Sequence, residues 1–76
     1  MKSRYEFLEE GLKMYEAFRN NLCAFNSNDS CVTAYVPEVL GSVLEAYCAK
    51  FYPDAKLTKH HVVRRDNSIT MYSVTF

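Results

Sequence analysis

The stretch KLTKHHVVRRDNSITMYSVTF, residues 56–76, predicts a β-hairpin. Residues with high β propensity stand on both sides of the turn-forming DNS, residues 66–68, as in two strands joined by a turn. Neighbouring strand residues point to opposite faces, so the five potentially cationic side chains between Lys59 and Arg65 are expected to divide between the two faces. The spacing therefore predicts no cationic stripe on one surface.

The first segment of the sequence predicts a long amphipathic helix. Ser3 and Glu6 in SRYE fit a capping box, so we expect the helix to start at about residue 4. Apolar side chains at helical spacing continue to Phe25, and the turn-forming NSNDS, residues 26–30, is expected to end the helix. A helix of about 22 residues would be roughly 33 Å long, which is longer than strands of ordinary length.

The middle of the sequence predicts a strand followed by a second helix. CVTAYV, residues 31–36, alternates, and Val32, Ala34 and Val36 are expected to share one face. Pro37 favours a helix start, and PEVLGSVLEAYCAKFY, residues 37–52, has helical spacing until Pro53. Residues 1–76 therefore form one α+β domain of order α-β-α-β-β. The simplest arrangement is a split β-α-β unit: a three-stranded sheet of order 1-3-2 with both helices on one face.

Both glycines of the chain, Gly11 and Gly41, fall inside predicted helices. Each costs about 1 kcal/mol there relative to alanine. A missing Cβ on the apolar side of a helix permits close approach of another backbone or of an aromatic ring, and neutral drift is the alternative explanation.

Composition and charge exclude several classes of function. Nine acidic and nine basic residues give no net charge, so the overall field gives no reason to expect binding to a polyphosphate. MKSRYEFLEE has acids directly after its first bases, unlike a signal or transit peptide, and no apolar run approaches membrane-spanning length. Three cysteines without a CxxC motif favour reduced thiols that pack as small hydrophobes. We expect a cytoplasmic protein with no membrane contact.

Catalytic and metal-binding patterns are weak in this sequence. His60 and His61 are adjacent on a predicted strand, so their side chains diverge and cannot share one ion. The sequence places no base beside a thiol, and two glycines in helices do not make a phosphate-binding loop. We therefore predict a non-enzymatic protein with no metal and no cofactor.

The apolar side of the first helix predicts a homodimer. The apolar side chains cover about half of the circumference of this helix, which is wider than the roughly 100° that one packing contact needs. Arg19 falls within this arc, where its charge either reaches water past the sheet edge or meets a carboxylate across an interface. We expect the dimer interface to include Tyr5, Leu12, Tyr15 and Arg19.

The polar side of the same helix carries an acidic stripe that offers complementarity to a basic surface. An ordinary solvated helix face, with Glu9 and Lys13 paired at i,i+4, is the alternative. The hairpin adds residue types that are enriched in interface hot spots. The predicted partner-binding residues are Glu6, Glu9, Glu10, Glu16, Arg64, Arg65 and Tyr72.

In size and style the chain resembles the small host-takeover and anti-defence proteins encoded by bacteriophages. It is a short, aromatic-rich α+β domain without a recognisable catalytic motif, and the resemblance transfers no residues. It implies a protein-binding inhibitor that acts by occluding the surface of a host protein.

Three other functions stay open. An RNA or single-stranded DNA binder would stack bases on Tyr35 and Tyr72 of an exposed sheet face. Zero net charge, the absence of an RNP motif and a sheet of three strands instead of four oppose it. An enzyme would need a pocket with a thiol or histidine, and a metabolite-binding module would need an unfilled cavity.

Overall fold

The computed structural model describes residues 2–64 and 67–76. Along the chain, each helical segment is followed by a pair of strands. Two helices, α1 (Arg4–Met14) and α2 (Glu16–Arg19), precede the strands β1 (Ala24–Ser27) and β2 (Val32–Pro37). A 3-10 turn (Glu38–Leu40) then leads into α3 (Gly41–Phe51), which is followed by β3 (Lys56–Arg64) and β4 (Asn67–Thr75). Within these described ranges, no helix has both the length and the apolar character needed to cross a membrane.

The four strands form one antiparallel sheet of order β1-β2-β4-β3. The sheet consists of two hairpins, β1–β2 and β3–β4, joined where β2 pairs with β4. The predicted three-stranded sheet of order 1-3-2 with two helices is therefore wrong, although the fold is α+β. The sequence pattern missed β1, which extends the sheet beyond β2.

The first helix is much shorter than predicted. Its start is confirmed, because the Ser3 hydroxyl accepts a hydrogen bond of 3.3 Å from the backbone N–H of Glu6. However, α1 ends at Met14, and Tyr15 has an extended backbone with φ −69° and ψ 127°. The four-residue α2 follows and ends at Arg19, with Asn20 as its C-cap. Asparagine has a low helix propensity, because its side chain competes for backbone groups. The Asn21 amide donates to the Ala17 carbonyl at 2.6 Å.

The turn of the first hairpin is organised by Asn28. Its side-chain oxygen accepts from the backbone N–H of Ser30 at 2.8 Å and from that of Cys31 at 2.9 Å. The Asn28 N–H donates to the Cys31 carbonyl at 3.0 Å. Asparagine favours such turns because its side chain mimics a backbone acceptor. The predicted NSNDS turn is thus centred on Asn28, while residues 26 and 27 belong to β1.

One face of the sheet packs against α1 and α3 and forms the core with them. Val32, Ala34 and Val36 share this covered face, as the alternation in β2 predicts, and they lie opposite Val74, Tyr72 and Thr70 of β4. The helices contribute Leu8, Leu12, Phe18, Leu44 and Cys48 to the same cluster.

Both helical glycines make room for a tyrosine side chain, as predicted. A Cβ added at Gly11 would lie 2.5 Å from the hydroxyl oxygen of Tyr47, and a Cβ added at Gly41 would lie 2.7 Å from that of Tyr72. The absent Cβ therefore lets each helix approach an aromatic ring.

Arg4 connects α1 to the turn that precedes β3 through an ion pair. Its guanidinium donates to both carboxylate oxygens of Asp54, at 2.8 and 2.9 Å. It also lies over the ring of Phe76, with the Cζ atom 4.0 Å from the ring centroid. The Phe76 ring in turn packs against Tyr5 and Tyr52, with centroid distances of 5.2 and 5.6 Å.

Candidate functional site

The face of the sheet opposite the helices is the candidate functional site, and we call it the open face. The register places alternate strand residues on it, and Tyr35, Met71 and His60 lie side by side across three strands. No described helix covers these positions. Its described residues are Ala24, Asn26, Thr33, Tyr35, Pro37, Lys56, Thr58, His60, Val62, Ile69, Met71, Ser73 and Thr75.

An apolar groove occupies one end of the open face. Its volume is about 330 Å³, and it is lined by Leu22, Ala24, Tyr35, Val62 and Ile69. Leu22 is 97% exposed and Tyr35 is 42% exposed, so the groove presents apolar surface directly to solvent. This volume lies at the lower end of the range for small-ligand pockets, so the groove can admit an inserted side chain.

The sequence does not predict this groove, because Leu22 and Phe25 fit the helical spacing of the first segment and are expected on the apolar side of its helix. The consecutive Asn20 and Asn21 are the local signal that the helix ends earlier. With the chain extended from Ala24, β1 becomes an edge of the sheet, and Leu22 lies at the margin of the open face.

Charge is divided between the two layers of the molecule. The described strands contain no aspartate or glutamate, but they include Lys56, Lys59 and Arg64. The described helices carry six acidic residues and four basic ones, namely Glu6, Glu9, Glu10, Glu16, Glu38 and Glu45 against Arg4, Lys13, Arg19 and Lys50. The sheet layer is therefore the basic side of a chain whose net charge is zero.

The predicted acidic stripe is partly neutralised within the chain. The Glu9 carboxylate accepts from the Ser27 hydroxyl at 3.0 Å and lies 3.5 Å from the Lys13 ammonium, which confirms the predicted i,i+4 pair. Glu10 forms an ion pair with Lys2. Glu6 and Glu16 are exposed, although Glu16 lies on α2, beyond the break at Tyr15.

The hairpin does not present Tyr72 as expected. Tyr72 is completely buried, and its hydroxyl donates to a Glu45 carboxylate oxygen at 3.3 Å. Burial, with the nearby Glu45 charge, raises the pKa of the Tyr72 hydroxyl. The expected exposure of Tyr72 is wrong, because its strand register turns it toward the helices. Arg65 and the side chain of Arg64 lie outside the described residues.

The predicted dimer residues are spread over different environments. Leu12 is completely buried in the core of its own chain, so its expected place in a dimer interface is wrong. Tyr5 is half-buried against Phe76. Tyr15 is 41% exposed, and Arg19 is exposed at the end of α2. The dimer itself stays a prediction, but the long overhanging helix that motivated it is absent from the described residues.

The predicted base-stacking pair does not form either. Tyr35 lies on the open face and Tyr72 on the covered face, since they align with Met71 and Ala34 respectively. The sheet has four strands, so the strand count no longer opposes a nucleic-acid function. Tyr35 is, however, the one aromatic side chain among the described strand positions of the open face.

The thiols and histidines are poorly arranged for chemistry. Burial raises the pKa of Cys48 to about 11 and also raises the pKa of Cys23, so both stay protonated at neutral pH and are weak nucleophiles. His60 and His61 align with Met71 and Thr70 on opposite faces, which confirms that their side chains diverge. Among the described residues, no three metal-ligating side chains cluster.

Comparison of the chain with protein-family models, with curated proteins and with solved structures finds no match.

Proposed function

We propose that this chain is a non-enzymatic protein-binding module, which binds a partner protein through the open face and acts by occluding the surface that it covers. The observation that carries the proposal is the apolar groove, where Leu22 is 97% exposed at the margin of a helix-free face. Exposed apolar surface on a small domain is typical of interaction sites.

The chemistry of the open face defines the partner that fits it. An aliphatic or aromatic side chain of the partner would enter the groove and serve as an anchor, as in interface hot spots. Lys56 and His60 lie on the same face, and the described strands provide no carboxylate. Lys56 is six residues from the groove residue Val62, about 20 Å along β3, so an acidic residue of the partner at that distance from the anchor would complement it and favour association.

A nucleic acid fits the same face less well. Base stacking needs several aromatic platforms, whereas the groove is lined mainly by the aliphatic Leu22, Val62 and Ile69. Occlusion by protein contact is also the mode of action that the phage-type resemblance implies. We place the module in the cytoplasm, which its free thiols at Cys23, Cys31 and Cys48 favour.

The test is affinity capture from a host lysate with matched surface variants. Leu22→Ser and Tyr35→Ser alter the groove, while Val39→Ser removes an aliphatic side chain that is 82% exposed but lies outside the groove. We expect one protein to be retained by the wild type and by Val39→Ser, and to be lost with both groove variants. Circular dichroism would check that all variants are folded.

Two outcomes would overturn the proposal. Retention of the same partner by the groove variants would show that the open face is not the site. In that case the triple reversal of the exposed Glu6, Glu10 and Glu16 to lysine would test the acidic helix residues; Glu9 is left unchanged because it bonds Ser27. Capture that disappears on nuclease treatment, together with RNA or DNA retention in a filter-binding titration, would replace the protein partner with a nucleic acid.

A further inference from the structure

The outer edge of β3 presents a long run of backbone groups that pair with no described strand. β3 pairs with β4 through nine consecutive residues, from Lys56 to Arg64, and the register has no bulge. Alternate residues of an edge strand direct their N–H and C=O groups outward, where another strand can bind them. Natural edges are protected by shortness, proline, a bulge or charged side chains, and of these features β3 has only the charges of Lys56 and Lys59 among its described side chains.

Each face of the sheet carries one lysine along this edge, and a histidine lies on each face as well. Lys59 and His61 lie on the covered face, Lys56 and His60 lie on the open face, and all four are exposed. The helices therefore do not reach over this edge, and a strand added there would meet these four side chains directly. The edge is accessible to an incoming backbone from either face.

Charge decides which strand the edge accepts. If two copies of β3 paired antiparallel about Lys59, the two Lys59 ammonium groups would lie directly opposite each other. Like charges directly opposite each other destabilise an antiparallel pair, whereas opposite charges stabilise it. The edge thus disfavours pairing with a second copy and favours a strand that carries carboxylates.

We propose that the outer edge of β3 binds an extended acidic segment of another protein by strand addition. The segment becomes a fifth strand beside β3, in which main-chain hydrogen bonds give affinity and carboxylates near Lys59 and His61 give selectivity. The edge site lies along the outer side of β3, whereas the groove involves β3 only through Val62, so variants at Lys59 and at Leu22 test the two sites separately.

The probe for this site is a capped nine-residue peptide in which glutamate alternates with threonine and valine. Fluorescence anisotropy at low salt is expected to show binding, and amide hydrogen exchange is expected to slow at alternate residues of β3. A matched peptide with lysine in place of glutamate should not bind. The same acidic peptide N-methylated on its two central residues should bind roughly tenfold more weakly, because it loses main-chain hydrogen bonds.

Charge reversal on the protein completes the test. Lys59→Glu combined with His61→Glu should lower the affinity for the acidic peptide roughly tenfold and should allow the lysine peptide to bind. Leu22→Ser is the matched control and should leave peptide affinity unchanged, since Leu22 lies across the sheet at the groove. The proposal is overturned if no binding occurs at low salt, if N-methylation has no effect, or if exchange slows outside β3. The charges would then serve only to protect the edge against aggregation.

Discussion

At the scale of single residues, the two helical glycines differ in how firmly their tyrosine neighbours are held. Tyr72, which contacts Gly41, is completely buried, so its ring has little room to move. Tyr47, which contacts Gly11, is half-buried and can shift toward solvent. An added methyl group is therefore expected to destabilise the fold at Gly41 and to be tolerated at Gly11.

We predict that Gly41→Ala lowers the free energy of unfolding by about 1–2 kcal/mol. Overpacking costs about 1–3 kcal/mol, and the better helix propensity of alanine returns at most about 1 kcal/mol. Urea unfolding followed by circular dichroism measures the difference, and Gly11→Ala, expected near zero, is the control. In a Tyr72→Phe background the obstructing hydroxyl is absent, so most of the loss should disappear. An equal loss in both backgrounds would contradict this explanation.

At the scale of elements, the ion pair between Arg4 of α1 and Asp54 predicts that the stability of the fold depends on pH. The hydrogen bonds from Arg4 lower the pKa of the Asp54 carboxyl below its ordinary value. The ionised form is thus favoured in the folded state, so its stabilising effect is present above the unfolded pKa of about 3.9 and is lost as the pH falls through the lower folded pKa.

Asp54→Asn should therefore melt at a lower temperature than the wild type at pH 7, and the gap should close at acidic pH. Both side chains are more than half exposed, so the effect will be modest and will shrink at high salt. Asp29→Asn is the control, because no ion pair with Asp29 occurs among the described residues. A gap that is the same at pH 7 and pH 2.5 would exclude the ion pair as its cause.

Local patterns explain which elements could be predicted from the sequence. The cap at Ser3, the alternation in β2 and the hairpin of β3 and β4 each depend on neighbouring residues. β1 depends instead on its pairing with β2, and the ring of Phe25 then packs against that of Phe18, seven residues earlier, at a centroid distance of 5.5 Å. The same two phenylalanines fit helical spacing, so periodicity alone favoured the wrong structure. The open-face groove was missed with β1 because it borders that strand.

At the scale of the whole molecule, the helix layer has its own exposed apolar surface. Tyr15 and Phe51, which are 41% and 52% exposed, line a groove between α2 and α3 together with Val43 and Tyr47. Arg19 is exposed at the end of α2. The residues that line this groove include Tyr15 but not Arg19, so a homodimer through it would use one of the residues predicted for the interface and would leave the open face free for a partner.

We predict that light scattering at tens of micromolar gives about twice the chain mass of 8.8 kDa. Tyr15→Ser combined with Phe51→Ser should reduce the mass to that of one chain, because it removes two exposed aromatic side chains from this groove. Leu22→Ser, on the opposite side of the sheet, should leave the mass unchanged. A wild-type mass of 8.8 kDa at these concentrations would refute the dimer.

The order of the strands also sets the order of events during synthesis. β2 and β3 both pair with β4, which lies between them in the sheet but comes after both in the chain. While the ribosome is still making β3, the nascent chain can form only the helices and the small β1–β2 hairpin. The sheet can close only once β4 has left the exit tunnel, because β4 is the strand that joins β3 to the β1–β2 hairpin.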